Sequence, residues 1–210
     1  MEILYRRGKR EDSLKIAEGI ERASGGIVEF LFHGLLGQST ITQVMAKSIQ
    51  EKQGSDSYEN AIVAENQGNI IGVVYSYSAQ FHGITDSTRS FFPSDRLSFL
   101  KDFYNSRVEH SWFLDSIYVD EKFRGAGIGS KLIELTKQRA KHNGCRQLSL
   151  MVMADNAVAR RTYERNGFEI VKHINVQEHP LIPHKGGIYL LVSNVSAELR
   201  GTVTPPNKGE

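Results

Sequence analysis

Three glycines alternate in Arg124-Gly125-Ala126-Gly127-Ile128-Gly129, between a strand-like run, Trp112–Val119, and a helix-like run over 130–142. Such residues in that context make a candidate phosphate cradle. Glycine lets the backbone turn sharply and approach a ligand, and the free N–H groups and positive dipole end of a following helix favour an anion. Spacing excludes two familiar loops. A Walker A loop needs G-x-x-x-x-G-K-[ST], but Ser130 stands where its second glycine should be. A dinucleotide-binding G-x-G-x-x-G loop needs its third glycine one residue after Gly129. An R-x-x-G-x-G loop remains, and a tight strand-to-helix connection with no ligand satisfies the same glycines.

The elements that must position this loop read as follows. A short first strand over 2–6 precedes a helix over 12–23, in which Leu14, Ala17 and Ile20 recur at helical spacing, closed by Ser24-Gly25-Gly26. An apolar, glycine-punctuated segment at 27–37 leads to a second helix over 39–52. Segments 61–65 and 69–77 read as a hairpin turning at Asn66-Gln67-Gly68-Asn69. Strand Trp112–Val119, the glycine loop, a helix closed at Asn143-Gly144 and the alternating strand Gln147–Met153 follow. A short helix over 156–165 stops at Asn166-Gly167, and strands over 168–176 and 187–195 complete the series.

Between the hairpin and Trp112 lies a long connector, 78–111, holding Phe81, Phe91, Phe92, Phe99, Phe103 and Tyr104. That is too much apolar mass for a solvated loop. Pro93-Ser94 marks a helix start, with Leu97, Leu100 and Tyr104 at helical spacing behind it. The connector suits a helical insertion packed on the core, a substrate-side wall or a dimer surface. Residues 196–210, with Pro205-Pro206 and little apolar content, read as a flexible tail, so 1–195 is expected to form a single domain.

The 210 residues are 40% hydrophobic and 24% charged, an ordinary globular composition. A formal net charge of +2, with both signs interspersed, leaves no footprint of a nucleic-acid binder. Cys145 is the single cysteine, so no intrachain disulfide forms, and a buried inert thiol is expected there. The chain has no apolar targeting core and no run of about 18 apolar residues, so a cytoplasmic protein away from membranes is expected. His33, His82, His110, His173, His179 and His184 lack metal-ligand spacing, and no metal is expected.

The order strand, R-x-x-G-x-G, helix, strand, helix ending in Asn-Gly-Phe resembles the GNAT superfamily of N-acetyltransferases. The strand and loop from Leu114 to Gly129 fit the family's [QR]-x-x-G-x-[GA] pattern, and Asn156, Ala159, Tyr163, Gly167 and Phe168 fit N-x-x-A-x-x-x-Y-x-x-x-G-F. Glu121 stands where the family usually has proline, and Arg160, Arg161 and Thr162 precede the tyrosine where an apolar residue is common.

The resemblance implies an α/β (α+β) fold: a mixed, mostly antiparallel seven-stranded sheet flanked by helices and splayed between the fourth and fifth strands. Acetyl-coenzyme A would lie in the splay, its pantetheine pairing with backbone at Ile117, Tyr118 and Val119. Its pyrophosphate would meet N–H groups from Arg124, Gly125, Ala126, Gly127, Ile128, Gly129 and Ser130, while Asn156 caps its helix and bonds the pantetheine arm. The implied reaction is acetylation of a primary amine by direct attack in a ternary complex. A lysine-like amine costs about 4.6 kcal/mol to deprotonate at pH 7. Asp115, in an otherwise apolar strand, matches the place of a family glutamate that takes this proton directly or through water. Tyr163 would serve the departing thiolate. A small-molecule amine is the expected acceptor, with a protein N-terminus or lysine as the alternative and a non-catalytic acyl-coenzyme A binding domain as another. Either a monomer or a homodimer fits.

Overall fold

The computed structural model describes residues 1–52 and 55–195. Seven strands, β1 (Leu4–Arg7), β2 (Ala61–Asn66), β3 (Asn69–Ser78), β4 (Trp112–Val119), β5 (Gln147–Met153), β6 (Glu169–Ile174) and β7 (Ile188–Asn194), form one sheet in the order β1-β2-β3-β4-β5-β7-β6. The helices are α1 (Ser13–Ala23), α2 (Ile27–Phe32), α3 (Ile41–Glu51), α4 (Asp86–Phe91), α5 (Ser94–Phe99), α6 (Lys101–Tyr104), α7 (Ile128–His142) and α8 (Ala157–Arg165). Among the described residues only β4 and β5 pair in parallel. A parallel pair needs a crossover, and α7 supplies it. The β2–β3 hairpin turns where expected, with Gln67 at φ 49° and Gly68 at φ 80°.

Alternating side chains divide the sheet into two faces. Val63, Val73, Tyr75, Tyr77 and Phe113 meet Ile16, Ala17 and Ile20 of α1 and Ala46 and Ile49 of α3. Ile62, Ala64, Val74, Trp112, Leu114, Leu148 and Leu150 meet Leu132 and Ile133 of α7 and Tyr163 of α8. The buried stripe of α1 is thus Ile16-Ala17-Ile20, and the expected Leu14 lies 52% exposed. Ile16 and Leu14 are two residues apart, so on a helix they point in widely different directions.

The register of β4 changes the sheet locally. Tyr75 pairs with Ser116 and Ser76 with Leu114, so Asp115 is an extra residue, the centre of a β-bulge. Phe113, opposite Tyr77, and Ser116, opposite Tyr75, consequently lie on the same α1/α3 face although three positions separate them. Pairing of β4 with β5 ends at Leu114 and Leu150. Past the bulge the strands diverge, and β5 continues to Met153 against β7 alone. This is the expected splay.

The aromatic connector is helical, but in three short pieces, α4, α5 and α6, with Leu100 at φ −95°, ψ 13° separating the last two. Leu97 and Leu100 are buried as their spacing predicts, packed with Phe30, Leu31 and Phe32 of α2 and with Ile182 between β6 and β7. The tail expected at 196–210 lies outside the described residues.

Candidate active site

The glycine loop enters α7 through two left-handed residues, Gly125 at φ 81° and Gly127 at φ 79°. A side chain is strained in that conformation. Ile128 is 1% exposed, pinning the helix start to the core, so only its backbone faces the loop. The first helical bond is Lys131 N–H to the Gly127 carbonyl, at 3.0 Å. Among the described residues, the N–H groups of 125–130 donate to no protein acceptor.

The space outside these amides is open. A Cβ added at Gly125 or Gly127 meets no atom within 4 Å, and one at Gly129 meets only Val119 Cγ2, at 3.9 Å. The fold therefore does not demand a missing side chain at Gly129, whose helical backbone would accept one. A row of unpaired amides beside space that a Cβ would fill fits a phosphate group. Ser130 is exposed at the row's end, its Oγ accepting from Asn166 Nδ2 at 3.2 Å. Arg124 turns back instead, its Nε donating to the Val119 carbonyl at 3.1 Å and Nη2 lying 3.5 Å from Glu121.

Ile117, Tyr118 and Val119 pair with Val74, Val73 and Gly72 on the β3 side, while their other edge faces the splay. At the head of the splay, Asp115 is half-buried, with Tyr77 Oη donating to Oδ1 at 2.8 Å and Ser116 Oγ donating to Oδ2 at 2.7 Å. Burial pushes the Tyr77 phenol well up, and the Asp115 charge adds to the shift, so Tyr77 stays a donor. His82 stacks 4.4 Å from Phe113 with Nε2 at 3.2 Å from the Phe103 carbonyl, and burial pushes its pKa down, which favours the neutral ring. Burial and the Asp115 charge also raise the Tyr104 phenol.

Tyr163 is 8% exposed, edge-on to Phe168 at 5.8 Å, and burial pushes its phenol up to about 12. Among the described residues its hydroxyl has no hydrogen-bond partner, yet it is not one of the partnerless polar atoms sealed from solvent. Asn156 caps α8, Oδ1 accepting from Ala159 N–H at 3.1 Å, which leaves its amide hydrogens for another acceptor. Cys145 is half-buried, not buried as expected, and the burial it has raises its thiol. Among the described residues no cluster of three or more His, Cys, Asp and Glu could hold a metal, and no helix is long and apolar enough to cross a membrane.

Sequence reasoning missed Tyr77 and Ser116, which hold the Asp115 carboxylate, and Tyr104 and His82, whose ionisation feels its charge. Tyr75 and Tyr77 carry the one available signal, alternation in a strand next to β4, but the bulge that brings Tyr77 to Asp115 has no glycine or proline to announce it.

A mixed sheet that opens along its parallel pair, with an amide-lined helix start at the opening, defines the N-acetyltransferase fold class. The chain belongs to the acetyltransferase (GNAT) family, whose model matches residues 38–168. Thialysine N-epsilon-acetyltransferase of Bos taurus is 42% identical over 64 residues, which are 30% of this chain and 38% of that protein. Spermine/spermidine N(1)-acetyltransferase of Bacillus subtilis is 33% identical over 70 residues, 33% of this chain and 43% of that protein. The chain thus spans less than half the length of these curated relatives. Among solved structures, a crystal structure of an acetyltransferase shares 26% identity at a TM-score of 0.65, covering 92% of this chain and all of that one. An N-acetyltransferase from Staphylococcus aureus Mu50 shares the fold at a TM-score of 0.67 and 18% identity, over 90% of this chain and 99% of that one. The fold is shared too by the PaiA N-acetyltransferase of Thermoplasma acidophilum in complex with coenzyme A, at a TM-score of 0.55 and 14% identity, over 92% of this chain and 99% of that one.

Proposed function

We propose that this chain is an acetyl-coenzyme A dependent N-acetyltransferase that acetylates a primary amine of a small molecule by direct attack in a ternary complex. The observation that carries the reading is the coincidence of the splay's origin, after Leu114, with the bulged carboxylate Asp115. Bound acetyl-coenzyme A supplies the acetyl thioester. The amides of 125–130 hold its pyrophosphate, the free edge of Ile117, Tyr118 and Val119 pairs with its pantetheine arm, and the Asn156 amide adds a donor. Pairing there competes with the Arg124 bond to Val119, which frees the guanidinium for the phosphates.

Asp115 takes the proton that the acceptor amine must lose, directly or through a water. Tyr77 and Ser116 fix the orientation of its carboxylate. Backbone N–H groups near residues 117–119 polarise the thioester carbonyl. Tyr163 serves the leaving thiolate as a hydrogen-bond donor. With its phenol near 12 and a thiol near 8.5, complete proton transfer would be uphill by about 5 kcal/mol.

The acceptor side supports a small molecule. Phe30 of α2 lies 4.5 Å from His179 of the β6–β7 connection, and Phe99 of the insertion lies 5.6 Å from the same ring. Three separate segments are thereby joined into one aromatic wall. The test is free-thiol release from acetyl-coenzyme A against polyamines, aminoglycosides, amino acids and peptides. Turnover with small amines is expected. Tight coenzyme binding by calorimetry with no thiol release across the panel overturns the proposal, and turnover restricted to peptides overturns the choice of acceptor.

A further inference from the structure

The β6–β7 connection meets the rest of the fold in two places. Its first half carries His179 into the aromatic wall against Phe30 and Phe99. Its second half runs along the short link 154–156 that joins β5 to α8. There Ala154 N–H donates to the Gly187 carbonyl at 2.9 Å, and the Asp155 carboxylate accepts from Lys185 N–H at 2.8 Å and from His184 Nδ1 at 2.7 Å, one on each oxygen. An ionised carboxylate only accepts, so His184 Nδ1 carries the hydrogen whatever the charge of the ring. The Lys185 amide and then the imidazole hold the Asp155 carboxyl below its ordinary value, so it stays charged at neutral pH.

His184 is wedged from one side: a Cβ at Gly25 would come within 3.1 Å of its Cδ2 and within 2.9 Å of Met153 Cε. On its other side it lines, with His179, Ile182 and Pro183, a concavity of about 340 Å³. The imidazole that Asp155 orients thus borders the same space as the imidazole of the aromatic wall. Asp155 is followed by Asn156, whose Oδ1 caps α8 and whose amide hydrogens face the coenzyme in the proposed reaction. Adjacent residues of one link therefore serve the two substrates. The link has little slack, because Asn156 N–H donates to the Met153 carbonyl at 3.0 Å and Ala157 N–H to the Asp155 carbonyl at 2.8 Å.

We infer that Asp155 and His184 are positioning residues whose bond latches the β6–β7 connection to the link bearing Asn156 and so holds the acceptor wall in place. The inference rests on the acetyltransferase reading of the site and deepens it. Neither side chain takes part in acetyl transfer, and both act through the wall. If the wall without its latch is in place about a tenth of the time, apparent affinity for the acceptor falls about tenfold.

Amide hydrogen exchange compares the natural chain with Asp155→Ala, His184→Ala and His184→Gln, whose side-chain amide can still donate to Asp155. In both alanine variants exchange across 178–187 should quicken about tenfold, while β5 and α7 keep their protection. The acceptor KM is read by thiol release from acetyl-coenzyme A with the polyamine, aminoglycoside, amino acid or peptide that the natural chain turns over fastest. It should rise about tenfold in the alanine variants, with kcat and coenzyme A affinity held within about twofold. His184→Gln should recover most of both losses. Unaltered exchange at 178–187, quickened exchange with an unaltered KM, or a glutamine variant no better than alanine overturns the inference. Protection lost across β5 and α7 as well overturns it too, leaving the pair a purely structural tie. Thiol release by the natural chain from no amine removes the transferase reading, and the exchange result still decides the latch.

Discussion

Tyr77 Oη donates a 2.8 Å hydrogen bond to Asp115 Oδ1, although the strand register places Tyr77 opposite Phe113. The contact exists because the β4 bulge adds a residue on the face where Tyr77 already stands. Removing the carboxylate while keeping its shape tests what it does. Asp115→Asn is expected to lower kcat/KM by about a hundredfold or more for strongly basic amines, in the range of general-base effects. Weakly basic amines, already unprotonated at the assay pH, should lose much less. A uniform loss across amines of graded basicity would reduce Asp115 to a binding residue.

Tyr163→Phe is expected to slow turnover by about ten- to a thousandfold, the lower part of the range for assistance to a leaving group. Coenzyme A affinity measured by calorimetry should hold. Since burial pushes the phenol up to about 12, the group stays protonated through neutral and mildly alkaline pH, and no loss of rate from its ionisation should appear there. An unchanged kcat in the variant would leave Tyr163 a packing residue.

The glycine loop separates folding from binding. Gly127→Ala places a side chain at φ 79° and should cost about 1–2 kcal/mol of stability. Gly129→Ala sits in helical backbone facing open space, so it should stabilise the free chain by up to about 1 kcal/mol. The same methyl fills the cradle and should weaken coenzyme A binding. Melting curves with and without coenzyme A distinguish the two, because at a fixed ligand concentration the stabilisation grows with the logarithm of the affinity. Equal stabilisation by coenzyme A in Gly129→Ala and the natural chain would move the phosphate site elsewhere.

Much of this was legible in the sequence because local chemistry fixes it. Trp112–Val119 is a largely apolar run, Leu148, Leu150 and Val152 alternate along Gln147–Met153, and left-handed glycines and an Asn cap announce the ends of α7 and α8. The surroundings of Asp115 were not legible. A bulge without glycine or proline changes the register silently, and the Tyr77 contact it creates joins residues 38 positions apart. The choice of Leu14 over Ile16 failed because both are apolar, and the position of β3 beneath α1 decides which is buried.

Arg6 and Asp12 tie β1 to the start of α1 at 2.6 Å, with Asp12 also accepting from Lys9 N–H at 2.8 Å. Burial opposes ionisation of Asp12, but the Arg6 guanidinium and the Lys9 amide together hold its carboxyl below the usual range. A lowered folded pKa stabilises the fold at pH above the ordinary carboxylate value, about 3.9, and that contribution is lost as pH falls through the folded value. Asp12→Asn should therefore cost about 2 kcal/mol at pH 7 and flatten the acid side of the stability profile in urea titrations. An acid limb identical to that of the natural chain would show that other carboxylates set it.

Gly26, at φ 91°, lies directly under the β6–β7 connection, where a Cβ would run into the Leu181 carbonyl and come within 2.8 Å of Pro183. Both partners in this contact fall outside residues 38–168, the span that matches the family model, whereas the glycine cradle, Asp115 and Tyr163 fall inside it. The Phe30–His179 contact of the wall proposed for the acceptor side thus joins the two flanks of the matched span, beside a gap too narrow for one methyl group, while Phe99 reaches the same ring from inside the span. Neither flank can drift in length or shape alone. A change of shape at this contact would have to be inherited as a matched pair of alterations, one before the matched span and one after it.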